Sequence, residues 1–269
     1  MTNAISTARE ASDGPVMAGA ARLGLAARAF VYLVIGWLAI QIAFGHQTQQ
    51  ANQKGALAEI AGHPAGIVLL WVLGIGFACY ALWRLSEAAF GTAAEGKKAG
   101  ARLQSLARAI AYAALCVTTF AFIAGRSRQG QAQQQETATA SLMKHGYGRW
   151  LVGLLGLIVI GVGVAMIAEG VTKKFEKQLR MQDLHGTSRT VVVRLGMIGT
   201  IARGVVFAVA GGLVLDAAIT FQPAKSTGLD GALRTLANQA YGRWLLALVA
   251  LGLIAFGLYG FAAARWAKT

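Results

Sequence analysis

Six runs of about twenty apolar residues constrain this chain more than any other feature of its sequence. A helix that crosses about 30 Å of hydrocarbon needs about 20 predominantly apolar residues. The runs that meet this requirement are residues 23–45, 65–90, 106–125, 150–168, 195–220 and 244–264. All three prolines lie outside these runs, so no run is broken by proline. The pattern predicts an all-α integral membrane protein with six transmembrane helices.

Composition excludes the common classes of soluble protein. Hydrophobic residues make up 56% of the 269 residues and charged residues only 13%, about half the charged share of a soluble domain. A soluble globule of this size does not bury so much apolar surface behind so few charges. A disordered chain, a disulfide scaffold and an ordinary cytosolic enzyme are therefore excluded.

The distribution of basic residues predicts the orientation. Lys and Arg number 25 against 11 Asp and Glu, and seventeen of the 25 lie in the termini, in connections on the same side as the termini, or in the span halves next to them. Basic residues concentrate on the cytoplasmic side of a membrane protein, so both termini are expected in the cytoplasm. Residues 1–21 lack the apolar core of a signal peptide and are expected to be a polar cytoplasmic tail. The expected location is the bacterial inner membrane, crossed several times.

A two-span unit occurs three times. The first spans contain Ala27-Arg28-Ala29, Ala107-Arg108-Ala109 and Ala202-Arg203-Gly204, and the second spans begin at Gly66, Tyr147-Gly148-Arg149-Trp150 and Tyr241-Gly242-Arg243-Trp244. The interval from the Arg to the matching Gly is 38, 40 and 39 residues. The repeats are residues 22–91, 102–172 and 194–268. Two spans return the chain to its starting side, so the sequence predicts three parallel two-helix repeats in a pseudo-threefold arrangement about the membrane normal.

Each connection inside a repeat carries apolar residues at the spacing of a helix face. The positions are Leu57, Ile60 and Ala61, then Thr139, Leu142 and Met143, then Leu233, Leu236 and Ala237. A short amphipathic helix on the outer interface is predicted in each, with Asp230 as an N-cap in the third. The alternatives are a helical turn packed onto the bundle or, for the Gln-rich stretches 47–53 and 128–135, a plain loop.

These motifs resemble a family of bacterial membrane proteins known as domain of unknown function 1206. Its tandem two-helix units open with an Ala-Arg-Gly-type motif and continue through a Leu-Asp-Gly-Ala-Leu-like outer segment to a Tyr-Gly-Arg-Trp-like start of the second span. The resemblance covers about residues 22–268 and is clearest at 229–233 and 241–244. The first copy departs from it, with Ala65-Gly66-Ile67 in place of Tyr-Gly-Arg. The resemblance implies the fold and no activity.

Arg28, Arg108 and Arg203 are the main candidate site residues. An arginine inside a span costs at least about 2.5–3.5 kcal/mol on insertion scales, less near an end where it can reach the interface. One interpretation is that the three anchor the helices to phosphates of the inner leaflet. The other is a ring around the pseudo-threefold axis that holds an anionic headgroup or solute by bidentate hydrogen bonds. Anionic lipid headgroups at the cytoplasmic face are the expected partners, and nucleic acid is not expected.

The remaining polar positions have simpler interpretations. Asp216, whose counterpart in the first repeat is Gln41, is a candidate intramembrane polar site: a carboxylate at the outer boundary or, alternatively, a cation or proton site. Arg84 and Glu87 are three residues apart and can pair on one helix face. The predicted interfacial anchors are Tyr147, Arg149, Trp150, Tyr241, Arg243 and Trp244.

Small residues indicate close helix packing in lipid. The ladder Gly204/Ala208/Gly212 and the pairs Gly74/Ala78 and Gly161/Ala165 have the spacing that lets helices approach each other. Packing within the bundle and self-association are both compatible with this pattern.

The sequence contains no constellation that indicates catalysis. It lacks a zinc His-Glu-x-x-His motif, a Walker glycine loop and a Gly-x-Ser-x-Gly elbow, and no cofactor or metal is expected. Cys79 and Cys116 lie in different spans and are expected to be free thiols. We therefore expect a non-enzymatic multi-pass protein that is structural or accessory or interacts with lipid, with a membrane-protein partner or a second copy left open. The alternative is a transporter or channel for a small solute or lipid along the pseudo-threefold axis.

Overall fold

The computed structural model describes residues 15–46, 49–91, 99–125, 130–144 and 147–266. Its long helices are α1 (Pro15–Ala43), α3 (Gly66–Phe90), α4 (Ala99–Ile123), α6 (Gly148–Val171), α7 (Gly186–Thr220) and α9 (Gly242–Trp266). All six contain a segment long and apolar enough to cross a membrane, which confirms the predicted number of spans. Three shorter helices lie within the repeats: α2 (Gln53–Ala61), α5 (Gln131–Met143) and α8 (Gly228–Ala237).

The helices extend beyond the apolar runs at the side of the bundle that carries the termini. Helix α1 begins at Pro15, inside the expected polar tail, because proline at a first helical position sacrifices no hydrogen bond. Residues 1–14 of that tail lie outside the described residues. Helix α7 begins at Gly186, well before residue 195, and its 35 residues span about 52 Å. Hydrophobicity marks where a helix crosses the membrane, and these helices continue past that region.

The helices pack in the order α4, α3, α1, α9, α7, α6 around the bundle. The most extensive interfaces join helices of different repeats: α6 with α7, α9 with α1, and α3 with α4. The two spans of the first repeat also pack together, as do those of the third. Among the described residues, α4 and α6 of the second repeat share no extended interface. Only 17% of the apolar window of either helix is buried, against 56% for α1 and α9.

Glycines set the close approach of α6 and α7. A Cβ at Gly163 would lie 2.6 Å from the backbone nitrogen of Ala208 and 2.7 Å from the carbonyl oxygen of Gly204. Gly156 and Gly170 repeat this contact at seven-residue intervals. The predicted roles of Gly204 and Ala208 therefore match the structure.

For two residues of the predicted small-residue ladders, the prediction of close helix packing was wrong. A Cβ at Gly161 or Gly212 would have no heavy atom within 4 Å, apart from the neighbouring backbone of its own helix. The glycines of α6 that contact α7 are seven residues apart. Gly161 and Gly212 were selected by a four-residue spacing, and they lie outside this interface.

The three short helices lie at the side of the bundle opposite the termini, here called the loop side. Leu57 and Ile60 of α2 are buried, as are Leu233 and Leu236 of α8, so these two helices pack onto the bundle instead of lying on its surface. Helix α5 includes part of the second Gln-rich stretch, for which a loop was the alternative, and its buried residue is Met143.

The connections that carry these helices contact one another in all three pairings. The carboxylate of Asp230 accepts hydrogen bonds from the backbone N–H of Ala51 and from Nε of Arg234, both at 2.8 Å. Ser226 donates to Thr139 at 3.0 Å, and the N–H of Lys54 donates to the side chain of Gln131 at 3.4 Å.

The prediction of Asp230 as an N-cap was wrong. Helix α8 is preceded by Thr227, and Asp230 is its third residue. The carboxylate accepts its hydrogen bonds from the first repeat and from Arg234, and does not cap its own helix. A sequence cannot distinguish these uses, since both need an acceptor near the start of a helix.

Candidate functional site

The three predicted arginines converge inside the bundle. Arg28 and Arg108 each lie fifteen residues before the loop-side end of their helix, and Arg203 lies seventeen residues before its own. These intervals correspond to about 22–26 Å along a helix axis, so the three side chains share one depth. Arg108 lies within electrostatic range of both Arg28 and Arg203. All three are half-buried, so part of each side chain remains accessible.

Aromatic rings hold two of these guanidiniums. The Arg28 guanidinium lies 5.4 Å from the ring centre of Phe256 and 5.8 Å from that of Tyr80. The Arg203 guanidinium lies 5.0 Å from the same Phe256 ring and 5.2 Å from Tyr32. Cations favour the faces of such rings, but a ring supplies no negative charge. Two like charges therefore share one aromatic ring.

Arg84 of α3 adds a fourth guanidinium. It pairs with Glu87 at 2.5 Å, as the three-residue spacing predicted, and also donates to the Tyr80 hydroxyl at 2.8 and 3.0 Å. Ser105 of α4 donates to the same Glu87 carboxylate at 3.1 Å, which links α3 to α4. Arg84 acts electrostatically on both Arg28 and Arg108, which makes it part of the cluster.

Sequence reasoning assigned Arg84 to a pair at the end of its span and missed its place in the cluster. Met166 and Gly260 occupy its positions in the other repeats, so the threefold pattern carries no signal for it. The available signal was an Arg–Glu pair in a span whose first residues are entirely apolar.

The arginine cluster, defined as Arg28, Arg84, Arg108 and Arg203, is short of negative charge. Glu87 is its acidic partner, and in the described part of the chain no carboxylate forms an ion pair with the other three arginines. The Nε atoms of Arg28 and Arg203 are buried, and no described atom accepts a hydrogen bond from either. An unpaired buried donor costs about 1–3 kcal/mol, and more when it is charged. In chemical terms, the cluster is suited to binding an anion.

Asp216 and Gln41 lie far from this cluster. Asp216 pairs with Lys225 at 2.7 Å, and both side chains are partly exposed near the loop-side end of α7. It lies thirteen residues, about 20 Å, along the helix from Arg203. Gln41 is half-buried near the loop-side end of α1. The structure therefore places Asp216 in a surface ion pair near the loop-side end of α7.

The predicted interfacial anchors are exposed on the loop side: Tyr147, Arg149, Trp150, Tyr241, Arg243 and Trp244. Arg149 has a further contact that the sequence did not reveal. Its guanidinium donates to the carbonyls of Ala218 and Ile219 at 2.9 and 3.0 Å, at the end of α7.

Arg102 makes the equivalent contact on the terminal side. It donates to the carbonyls of Ala88 and Ala89 at 2.7 and 3.1 Å, at the end of α3. Both arginines belong to the second repeat, and both bind unpaired carbonyls at a helix C-terminus in a neighbouring repeat.

A groove of about 690 Å³ lies away from the cluster, between α1 and α3 in the loop-side half of the bundle. Its walls are mainly apolar, including Trp37, Val68 and Val72, with Glu59 and His63 at the end nearer the loops. Lipid tails cover apolar walls of this kind without any specific recognition, so the groove is a weaker candidate than the cluster. In the described ranges, no group of three His, Cys, Asp or Glu residues is placed to hold a metal.

The fold and the cluster together define a multi-pass helical membrane protein built from repeated two-span units. The chain belongs to the family described as Domain of Unknown Function (DUF1206), which matches residues 23–91, 103–173 and 198–267. It is 30% identical over 241 residues to "Uncharacterized protein YxxB" of Bacillus subtilis (strain 168), covering 88% of this chain and 86% of that protein. No solved structure matches the chain. The three matched segments coincide with the repeats found in the sequence.

Proposed function

We propose that this chain is a non-enzymatic protein of the bacterial inner membrane whose arginine cluster binds a phosphate group. The observation that carries the proposal is the charge imbalance: four guanidiniums against Glu87, with two buried Nε donors that lack an acceptor among the described residues. Guanidiniums bind phosphate oxygens through paired, charge-assisted hydrogen bonds. A phosphate bound here would supply both the missing charge and the missing acceptors.

Orientation makes a lipid the expected source of that phosphate. Seventeen of the 25 basic residues lie with the termini, which supports cytoplasmic termini. The arginines then lie about 22–26 Å from the outer helix ends, in the cytoplasmic half of a hydrocarbon layer about 30 Å thick. Anionic headgroups of the inner leaflet are close to this depth.

The same proposal includes three parallel repeats in a pseudo-threefold arrangement about the membrane normal. The recurring Arg-to-Gly interval supports it, as do the three extensive interfaces between successive repeats. Under this arrangement, one arginine from each repeat faces the axis.

Binding is favoured over passage along the axis. The connections at the loop side contact one another through Asp230, Ser226 and Lys54, and aromatic rings occupy the space between the arginines. A transporter or channel would need these contacts to open. Rigid binding of a lipid needs no such movement.

The test measures binding by the purified full-length protein in nanodiscs. Phosphatidylglycerol is titrated into a phosphatidylcholine background, and inorganic phosphate is titrated separately. Arg203→Gln is expected to weaken phosphatidylglycerol binding about tenfold or more, because charged hydrogen bonds contribute about 1.5–3 kcal/mol each. The control is Arg243→Gln, the same change at an exposed arginine on the loop side, which should have no effect.

The outcomes separate the sources of the phosphate. Binding of inorganic phosphate alone, sensitive to Arg203→Gln, would replace the lipid with a soluble anion. Equal binding by all variants would refute the site. Flux of phosphate or lipid across proteoliposomes that Arg203→Gln abolishes would favour transport.

A further inference from the structure

The second span of the middle repeat exposes a face that the other repeats bury. Tyr80 and Phe256 occupy equivalent positions in α3 and α9 and are 0% and 5% exposed. The equivalent residue of α6, Val162, is 45% exposed. About two turns earlier, Leu155 is also exposed, although its counterparts Leu73 and Val249 are buried.

The partner helix α4 exposes the matching face. Ala111 is exposed, whereas its counterparts Val31 in α1 and Val206 in α7 are 3% and 0% exposed. In the first and third repeats the two spans pack against each other, with Tyr80 beside Gly24 of α1 and Phe256 beside Gly199 of α7. In the middle repeat, α4 and α6 share no extended interface within the described ranges, so both faces are uncovered.

This pair of uncovered faces lies at the depth of the arginine cluster. Ala111 follows Arg108 by three residues, just under one helical turn. Val162 occupies the position that Tyr80 and Phe256 hold in the other repeats, and those two rings lie against Arg28. An occupant between α4 and α6 is therefore beside the guanidiniums.

We propose that α4 and α6 form a lateral opening that receives one acyl chain of a glycerophospholipid whose phosphate binds the arginine cluster. The inference rests on the proposed phosphate site and names the ligand and its path of entry. An occupant has to match both an apolar wall and unpaired guanidiniums. A phospholipid matches both, free phosphate matches the second alone, and an apolar helix from another copy matches the first alone.

The decisive variant fills the opening. Val162→Phe introduces the residue type found at position 256, and its control is Val164→Phe. Val164 is exposed, and so are its counterparts Leu82 and Leu258, so position 164 faces lipid in every repeat. Full-length protein in nanodiscs is titrated with phosphatidylglycerol and, separately, with inorganic phosphate. A photoreactive phosphatidylglycerol with a diazirine in one acyl chain locates the lipid by mass spectrometry.

We expect Val162→Phe to weaken phosphatidylglycerol binding at least fivefold and to leave unchanged any binding of inorganic phosphate. Photoadducts should fall on α4 and α6 near Ala111 and Val162, and Val162→Phe should remove them. Val164→Phe should change neither. Val162→Ala should retain binding, and equal melting temperatures across the set exclude misfolding as the cause.

Two results would overturn the opening while leaving the phosphate site intact. One is phosphatidylglycerol binding that depends on Arg203 but is unchanged by Val162→Phe, with adducts elsewhere. The other is a cross-link between two copies at Val162 with no lipid adduct, which would make a second copy the occupant. Loss of all Arg203-dependent binding would instead refute the proposed function.

Discussion

The middle repeat and its two neighbours are alike in sequence pattern but differ in how they pack. The spans of the first repeat pack against each other, and so do those of the third, whereas α4 packs on α3 and α6 packs on α7. Each half of the middle repeat is thus held by a different neighbour. The unit of duplication is therefore not the unit of packing, because the most extensive interfaces lie between repeats.

Two kinds of contact hold the halves of the middle repeat. In the first kind, the backbones of α6 and α7 are in contact where Gly163 faces Gly204. In the second kind, Arg149 and Arg102 donate hydrogen bonds to carbonyls at the ends of α7 and α3. Substitutions can measure how much each kind of contact contributes to the unfolding free energy of the bundle. They can also compare these contributions with that of the contact between the first and third repeats.

The largest effect is expected at the glycine interface. Gly163→Ala places a Cβ within 2.7 Å of the α7 backbone, so the helices have to separate, and we expect a loss of about 2–3 kcal/mol in unfolding free energy. Gly161→Ala meets open space and should be neutral or slightly stabilising, because Ala favours helix over Gly. Thermal unfolding in detergent compares them. Equal melting temperatures would show that α6 and α7 are not closely packed.

A slightly smaller loss of stability is expected at the hydrogen bond between Ala51 of the first repeat and Asp230 of the third. Asp230→Ala leaves the buried N–H of Ala51 without its acceptor and should cost about 2 kcal/mol. Asp216→Ala removes only a partly exposed ion pair with Lys225 and should cost less than about 1 kcal/mol. Denaturant titration of both variants measures the difference. A reversed order would mean that Asp230 is solvated and that the loop side is open.

The smallest effect is expected at the helix ends. Arg149→Gln should cost about 0.3–1 kcal/mol by weakening the interaction with the C-terminus of α7. Arg243 occupies the same motif in the third repeat and is exposed, so Arg243→Gln should leave stability unchanged. The same detergent melts resolve this pair. An equal loss of stability in Arg243→Gln and Arg149→Gln would show that the effect comes from contact with detergent headgroups, which both arginines can make.

Hydrophobicity and the repeat predicted much of this molecule. The six spans and the shared depth of Arg28, Arg108 and Arg203 follow from run length and from the constant interval between motifs. These features are local or periodic, so a single sequence records them.

What the sequence did not reveal depends on which helices become neighbours. Arg84 enters the cluster because α3 packs beside α1 and α4, and its own span indicates only that Arg84 and Glu87 can pair. A four-residue step between small residues is the usual packing signal and selects Gly161, whereas the crossing of α6 with α7 brings Gly163 into contact. The uncovered faces of α4 and α6 arise from a missing interface, which a repeated motif cannot record.

The packing of α1 against α9 has a consequence for biosynthesis. A Cβ at Gly36 would lie 2.6 Å from Ile254, and one at Gly257 would lie 2.7 Å from Leu33, so the first and last spans fit closely. The ribosome makes α1 before α9, and the other four long helices are made between them. The face of α1 that α9 covers therefore has no α9 to pack against until those four helices have been made. The interface between α1 and α9 forms late in synthesis, although α1 is its earlier half.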